Sequence, residues 1–325
     1  MSTPRMMRAI AIDHFGGPEE LTIHEVEVPL AGPGEVLIKV TSAGVGVWDG
    51  AERAGQMAGM TPDAAKRFPR VLGADGAGTV AAVGDGVRDF KEGDLVYGDS
   101  FLNPKGGFYA EYVAVPVDHV APVPRGVDVD QAGALAIPGV TALRGLSDTL
   151  DLKPSQRLLI FGASGGVGNA AVQLAKAIGA KVLAVVTNAE AATVAKEAGA
   201  DAVANSTNDD LAAAIKSFAP DGLDAVLAFA NGDGLDTAAA AVREGGRVAH
   251  PYGVRPPKGR AGVQVIGYEG RPDRDVLDRL NALIERRPFS LHIEHRFPLA
   301  DAAQAHRALA DHHVGRMILT TSASP

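Results

Sequence analysis

Hydrophobic and polar positions alternate along the first third of the chain and recur at helical spacing beyond it. Residues 8–12, 21–26 and 35–40 carry apolar side chains at every second position between Gly or Pro boundaries, and 79–83, 94–97 and 109–115 repeat the pattern. A period of two sends successive side chains to opposite faces, so these segments predict half-buried strands. Together they predict an antiparallel, barrel-like domain over residues 1–124, with a helix at 49–55 and an irregular stretch from there to Pro69.

From Asp130 the pattern changes. The apolar run 158–161 has the length of a buried parallel strand. The helix after it carries Val172, Ala175 and Ile178 on one face and meets Gly179 where a C-cap belongs. Strands follow at 181–186, 201–204, 223–229 and 247–250, separated by helices at 189–198, 209–218 and 235–244, with 263–268 as a last, edge strand. Such alternation predicts an α/β domain with a Rossmann-type, doubly wound parallel sheet over residues 125–270. In the tail, 271–325, Val276, Leu277, Leu280, Leu283 and Ile284 form a core stripe on one helix, and a helix at 300–311 and a strand at 316–320 end the chain.

Between the first of these parallel strands and its helix runs Gly162-Ala163-Ser164-Gly165-Gly166-Val167-Gly168. Glycines in such a turn let the backbone approach a pyrophosphate, and the helix N-terminus offers unpaired N–H groups and the positive end of its dipole. The spacing is G-x-x-G-x-x-G and not the common G-x-G-x-x-G, so the motif alone is weak. The strand–helix alternations that follow make it a dinucleotide-binding turn. Many NAD enzymes place an acid at the end of the second strand to bind the ribose hydroxyls. Thr187 and Asn188 stand there instead, which favours NADPH over NADH. Tyr252 and Gly253, past the strand 247–250, complete the cofactor contacts expected within this domain.

Composition narrows the chemistry. At 325 residues, 46% hydrophobic and 22% charged, the chain has the balance of a soluble protein with more than one domain. A net charge of −8 argues against nucleic acid or an anionic membrane as partner. The first residues lack the apolar core of a signal peptide, and no run reaches the roughly 18 apolar residues of a membrane helix; a cytoplasmic location is expected. The chain has no cysteine, which removes disulfides, thiolate nucleophiles and every Cys-containing zinc site. Of its nine histidines, His292 and His295 lack metal-ligand spacing and His306, His312 and His313 fall in a polar helix end expected at the surface; all five are expected to be solvated or structural and not metal ligands.

The mid-chain turn with the following AVQLAKAIGA, the stretch Gly73-Ala74-Asp75-Gly76-Ala77-Gly78-Thr79-Val80, the stretch Phe90-Lys91-Glu92-Gly93-Asp94-Leu95-Val96-Tyr97-Gly98 and Pro138-Gly139-Val140-Thr141-Ala142 together resemble the medium-chain dehydrogenase/reductase superfamily. The resemblance covers nearly the whole chain. It looks closest to the zinc-independent quinone oxidoreductase branch, which includes zeta-crystallin-like proteins. It implies a GroES-like barrel domain at 1–124, an NADP-binding domain at 125–270 and a return of 271–325 to the first domain. Ala74 stands where the zinc branch carries a metal-binding His. A short-chain dehydrogenase would also fit Gly162, Gly166 and Gly168, but its turn opens the chain and its Tyr-x-x-x-Lys occurs nowhere here.

The resemblance implies hydride transfer to a small molecule, a quinone or an α,β-unsaturated carbonyl, without a metal, in a pocket next to Gly44-Val45-Gly46-Val47-Trp48-Asp49. Tyr109 and Asp49 match positions beside the acceptor, with Tyr109 as donor to the developing oxyanion. Gly46 stands where relatives commonly carry Asn, so a polar contact is expected to be lost there. Trp48 either widens the apolar wall or packs in the core. Thr141 is expected beside the nicotinamide. Arg316 either reaches the cofactor phosphates or is a surface arginine at a strand end. Two other readings stand beside this one: an enoyl-thioester reductase, receiving phosphates on Arg255, Lys258 and Arg260, or a cofactor-binding protein with little catalysis. The strand 263–268 is expected to pair with its twin in a homodimer.

Overall fold

The computed structural model describes residues 3–60, 67–311 and 313–321, so residues 61–66 of the irregular stretch before Pro69, and His312, lie outside the described residues. The chain divides into two compact units. The first comprises Met1–Ile137, Pro272–Asp278 and Ile293–Pro325, the second Pro138–Arg271 and Arg279–His292. The first begins with β1 (Met6–Ile12), β2 (Thr22–Glu27), β3 (Glu35–Val45), α1 (Val47–Arg53), β4 (Arg70–Val71) and β5 (Asp75–Val83), followed by β6 (Leu95–Asp99), β7 (Tyr112–Pro116), β8 (Val120–Pro122) and α2 (Val129–Ala132). Then come α3 (Ala136–Leu143), β9 (Arg157–Phe161), α4 (Gly166–Ile178), β10 (Lys181–Val186), α5 (Ala189–Glu197), β11 (Ala202–Asn205) and α6 (Leu211–Phe218). The chain ends with β12 (Leu223–Ala228), α7 (Gly234–Ala240), β13 (Val242–Pro251), β14 (Gln264–Tyr268), α8 (Arg274–Ile284), β15 (Ile293–Pro298), α9 (Ala302–Ala308) and β16 (Arg316–Thr320).

In the first unit the main sheet runs β15-β16-β3-β5-β6-β8, with β7 also on β3, and a small sheet runs β2-β1-β4. All of these pairings are antiparallel except β15 with β16. Alternating side chains of β1, β3 and β5 meet Phe90, Val96, Phe108 and Tyr109 in one core. The last strand, β16, pairs with β3 from Met317↔Val45 to Thr320↔Ser42, which brings the end of the chain into this unit. Strand β7 starts three residues later than the alternation suggested. The Tyr109 backbone instead donates to Leu72 O and accepts from Ile10 N, so it lies against the small sheet before the chain enters β7. The first unit also extends past residue 124, because the Ser42 hydroxyl donates to Val129 O at 2.7 Å.

The second unit holds one parallel sheet in the order β11-β10-β9-β12-β13-β14. The order reverses between β9 and β12, and in doubly wound sheets ligands bind beyond the carboxyl ends of the strands at such a switch point. Helix α4 ends on Gly179 at φ +98°, a left-handed cap that glycine adopts without strain. Helix α7 stops at Ala240 and β13 starts at Val242, earlier than the apolar pattern implied. Part of the tail, 279–292, belongs with this unit and not with the first: Gln173 donates to Ser290 O and accepts from Ser290 N, each at 2.9 Å. Among the described residues no helix is long and apolar enough to cross a membrane.

Candidate active site

Strand β9 delivers the chain into the glycine turn at the carboxyl edge of the parallel sheet. Gly162 sits at φ +81°, and a Cβ there would stand 2.8 Å from Ala230 Cβ. A Cβ on Gly168 would overlap the Gly162 carbonyl oxygen and stand 2.7 Å from Ala163 Cα, so these two glycines let helix and turn pack. Gly165 is different. It is the N-cap of α4, at φ −71° and ψ 168° with no side-chain cap, and the nearest atom to an added Cβ is Gly162 O at 3.9 Å. Ala163 is fully buried, whereas Ser164, Gly165, Gly166 and Val167 remain partly accessible. The first amides of a long helix thus face a space the chain leaves open, which is the fit a pyrophosphate needs.

The other residues expected at the cofactor lie along the same edge. Asn188 caps α5, its Oδ1 accepting from Ala191 N at 2.7 Å, and Thr187 O accepts from the Thr207 hydroxyl at 3.1 Å. Tyr252 follows β13 and is 83% exposed. Gly253, at φ +92°, has its carbonyl 3.4 Å from Asn231 Nδ2. Thr141 lies on α3 and is nearly buried. Of the basic group considered for a thioester carrier, Arg255 pairs through Nη1 with Asp236 and Arg260 Nη1 donates to Ala240 O, while Lys258 gives its backbone N–H to Asp236.

In the first unit several of the expected residues have partners within its own core. Asp49 is fully buried; its Oδ2 accepts from Gly46 N and its Oδ1 from Ala74 N, both at 2.8 Å, so it ties the start of α1 to the approach to β5. Arg316 is 4% exposed and is not a surface residue. Its Nη2 reaches Asp75 at 2.9 and 3.2 Å, its Nη1 donates to Val45 O at 2.9 Å, and its guanidinium lies 4.9 Å from the Trp48 ring centroid. Gly46 makes room for that stack, because a Cβ there would overlap Cε2 and Cζ2 of Trp48. Gly44 makes room in the same way for the Arg316–Asp75 pair. Trp48 itself is half-buried over the guanidinium.

Tyr109 is fully buried in the barrel core, and its hydroxyl bonds His306 Nε2 at 3.0 Å. His306 is structural and not solvated, at 3% exposed; its Nδ1 accepts from Arg53 Nη1 at 2.8 Å. An arginine can only donate, so Nε2 carries the proton and donates to the Tyr109 oxygen. Sequence reasoning missed Asp75 and His306. Asp75 was legible as an acid at the head of an apolar strand, and His306 as a member of the helical stripe with Ala302 and Ala305.

The buried charges have opposite consequences for stability. Burial and the nearby Asp75 push the Asp49 carboxyl well above the usual range. Burial also raises Asp75, against the pull of Arg316. Asp99, opposite Asp75 on β6, is pushed up by burial to about 7, only partly restrained by the Phe101 amide. A raised acid loses its contribution as pH climbs from its unfolded value through the folded one. His306 is pushed down to about 3 by burial and by Arg53, so its contribution is lost as pH falls from about 6.5. Asp99→Asn is therefore expected to gain stability relative to the parent on going from pH 4.5 to 7.5, and His306→Gln to lose its advantage over the same range. Each group is worth at most about 1.4 kcal/mol per pH unit. Thermal melts across that range check this; differences that do not move with pH would remove both groups as the cause.

Comparison with known proteins bears on this geometry. Residues 32–125 match the family model described as alcohol dehydrogenase GroES-like domain, and 166–271 the one described as zinc-binding dehydrogenase. A quinone oxidoreductase of Rattus norvegicus is 33% identical over 330 residues, 97% of this chain and 98% of the relative. An NADPH-dependent alkenal/one oxidoreductase, chloroplastic, of Arabidopsis thaliana is 31% identical, over 98% of this chain and 80% of the relative. A mycobacterial protein solved in complex with NADPH superposes with a TM-score of 0.81 at 29% identity, over 97% of this chain and 99% of that one.

Proposed function

The chain belongs to the medium-chain dehydrogenase/reductase superfamily and is an oxidoreductase, and on that footing we propose that it is a zinc-independent, NADPH-dependent reductase of quinones and, more slowly, of α,β-unsaturated carbonyls. One observation carries the reading: the open space before the first amides of α4, beside Gly165, at the switch point of a parallel sheet. NADPH, when bound there, supplies the hydride. Gly165, Gly166 and Val167 receive the pyrophosphate, Thr187 and Asn188 face the adenosine ribose and its phosphate, and Thr141, Tyr252 and Gly253 border the nicotinamide end. Two named relatives, a quinone oxidoreductase and an NADPH-dependent alkenal/one oxidoreductase, support the choice of acceptors.

The acceptor preference follows from the barrel unit. Tyr109 and Asp49 are committed to its core, which withdraws the two side chains expected at an acceptor oxygen. Acceptors that spread the incoming charge over their own π system depend least on such donors, so quinones are favoured over enones. The absence of cysteine, and Ala74 at the zinc branch's histidine position, support chemistry without a metal. We also propose a homodimer formed by pairing of the edge strand β14 with its twin.

The test is NADPH and NADH oxidation with a panel of quinones and enones. NADPH with a quinone is expected to give the highest kcat/KM. Asn188→Asp keeps a good N-cap on α5 while adding a charge that repels a 2′-phosphate, and is expected to shift the preference towards NADH by about tenfold, roughly 1.4 kcal/mol. A parent already faster with NADH would overturn the cofactor assignment. Tight NADPH binding without turnover on any acceptor would favour a cofactor-binding protein with little catalysis.

A further inference from the structure

The carboxyl edge of the parallel sheet ends on a tyrosine that the reading above leaves without a role. Tyr268 is the last residue of β14 and stands opposite Pro251 of β13. Its hydroxyl donates to Thr141 O at 2.9 Å, and its own carbonyl accepts from Tyr252 N at 3.2 Å. One residue therefore holds the backbone of two segments, far apart in sequence, that border the proposed nicotinamide end. Burial raises the phenol's pKa, so it remains a donor across the working range.

The surroundings are shaped for this contact. Helix α3 gives way to a π-helix at Arg144–Thr149, just beyond Thr141. Such changes of winding recur at functional sites, and here the carbonyl just before the change takes a donor from outside the helix. Gly145 lies under the phenol, where an added Cβ would stand 2.5 Å from Tyr268 Oη and 2.8 Å from Leu227 Cδ1. On the other side, a Cβ on Gly270 would overlap the Thr141 hydroxyl. Gly145 thus lets the ring approach the helix and Gly270 lets the chain beyond β14 approach Thr141, which a residue merely capping a sheet edge would not require.

We infer that Tyr268 is a positioning residue for the nicotinamide end of the cofactor, fixing Thr141 and the Tyr252–Gly253 turn relative to one another. The inference rests on the cofactor assignment proposed above. It separates the two halves of the dinucleotide: the glycine turn holds the pyrophosphate and adenosine half, and Tyr268 acts only on the other.

The experiment measures the affinity of the parent and of Tyr268→Phe for NADPH and for 2′-phospho-ADP-ribose, which lacks the nicotinamide, alongside thermal stability and kcat with a quinone. Tyr268→Phe is expected to bind the fragment within about twofold of the parent. Its extra affinity for NADPH over the fragment is expected to fall about tenfold, with a comparable fall in kcat, since small misplacements of a reacting group cost up to about 10²-fold. Gly145→Ala, which pushes a methyl against the phenol, is expected to reproduce the pattern, and carries the test if Tyr268→Phe does not fold. An unchanged NADPH-to-fragment ratio, or equal losses for both ligands together with a lower Tm, would overturn the inference. A parent that binds neither ligand would instead overturn the cofactor assignment on which it rests.

Discussion

Replacing Gly165 by Asp is expected to leave the folded protein as stable as before, or slightly more so, while removing cofactor binding. Gly165 has ordinary extended N-cap geometry, and the nearest atom to an added Cβ is 3.9 Å away. An aspartate there can cap α4 with its own carboxylate and complements the helix dipole, which stabilises by a few tenths of a kcal/mol. That carboxylate occupies the same amides a pyrophosphate would use and repels its charge. A loss of about 10²-fold in NADPH affinity, roughly 2.7 kcal/mol, is expected by titration of NADPH fluorescence. The control is Gly168→Val, whose Cβ would overlap the Gly162 carbonyl and crowd the Ala163 backbone, so that variant is expected to fail in folding. Unchanged affinity in Gly165→Asp would show that no phosphate group sits at this turn.

Replacing Arg316 by Met is expected to cost about 3–5 kcal/mol of stability, the usual penalty for leaving one member of a buried ion pair alone. Asp75 is fully buried and both of its oxygens face this guanidinium, so it has no route to water when the arginine is removed. The same change strips Val45 O of a donor and Trp48 of the cation beneath its ring. Two companion results identify the cause. The loss is expected to be larger at pH 8 than at pH 5, because the orphaned carboxyl can take a proton at the lower pH. Adding Asp75→Asn is expected to recover most of it, since a neutral amide tolerates burial better than an unpaired charge. Denaturant unfolding of the single and double variants reads both. A loss that is independent of pH and not relieved by Asp75→Asn would mean that Arg316 contributes through packing alone.

The cofactor turn and the barrel core differ in how far they could be read without the fold. The order of strands and helices, the left-handed cap at Gly179 and the glycine turn were legible because each depends on neighbours within a few residues: side-chain period, helix caps and the φ > 0 that Gly162 requires. Element ends were less so. Residues 109–111 alternate like the strand that follows them, yet the Tyr109 backbone pairs with β1 and Leu72.

What the sequence determined by itself was the sheet classes, the glycine-rich turn between strand and helix and the exclusion of cysteine chemistry, all consequences of local spacing and composition. Only the tertiary structure decided what the polar residues of the barrel do. Arg316 meets Asp75 across 241 residues and Tyr109 meets His306 across 197. In a buried site a charge or hydroxyl takes whichever partner the folded chain brings to it, because an unpaired polar group is costly there. Tyr109, Asp49 and Arg316 therefore carry side chains fit for catalysis or phosphate binding, and the fold uses them to hold its core.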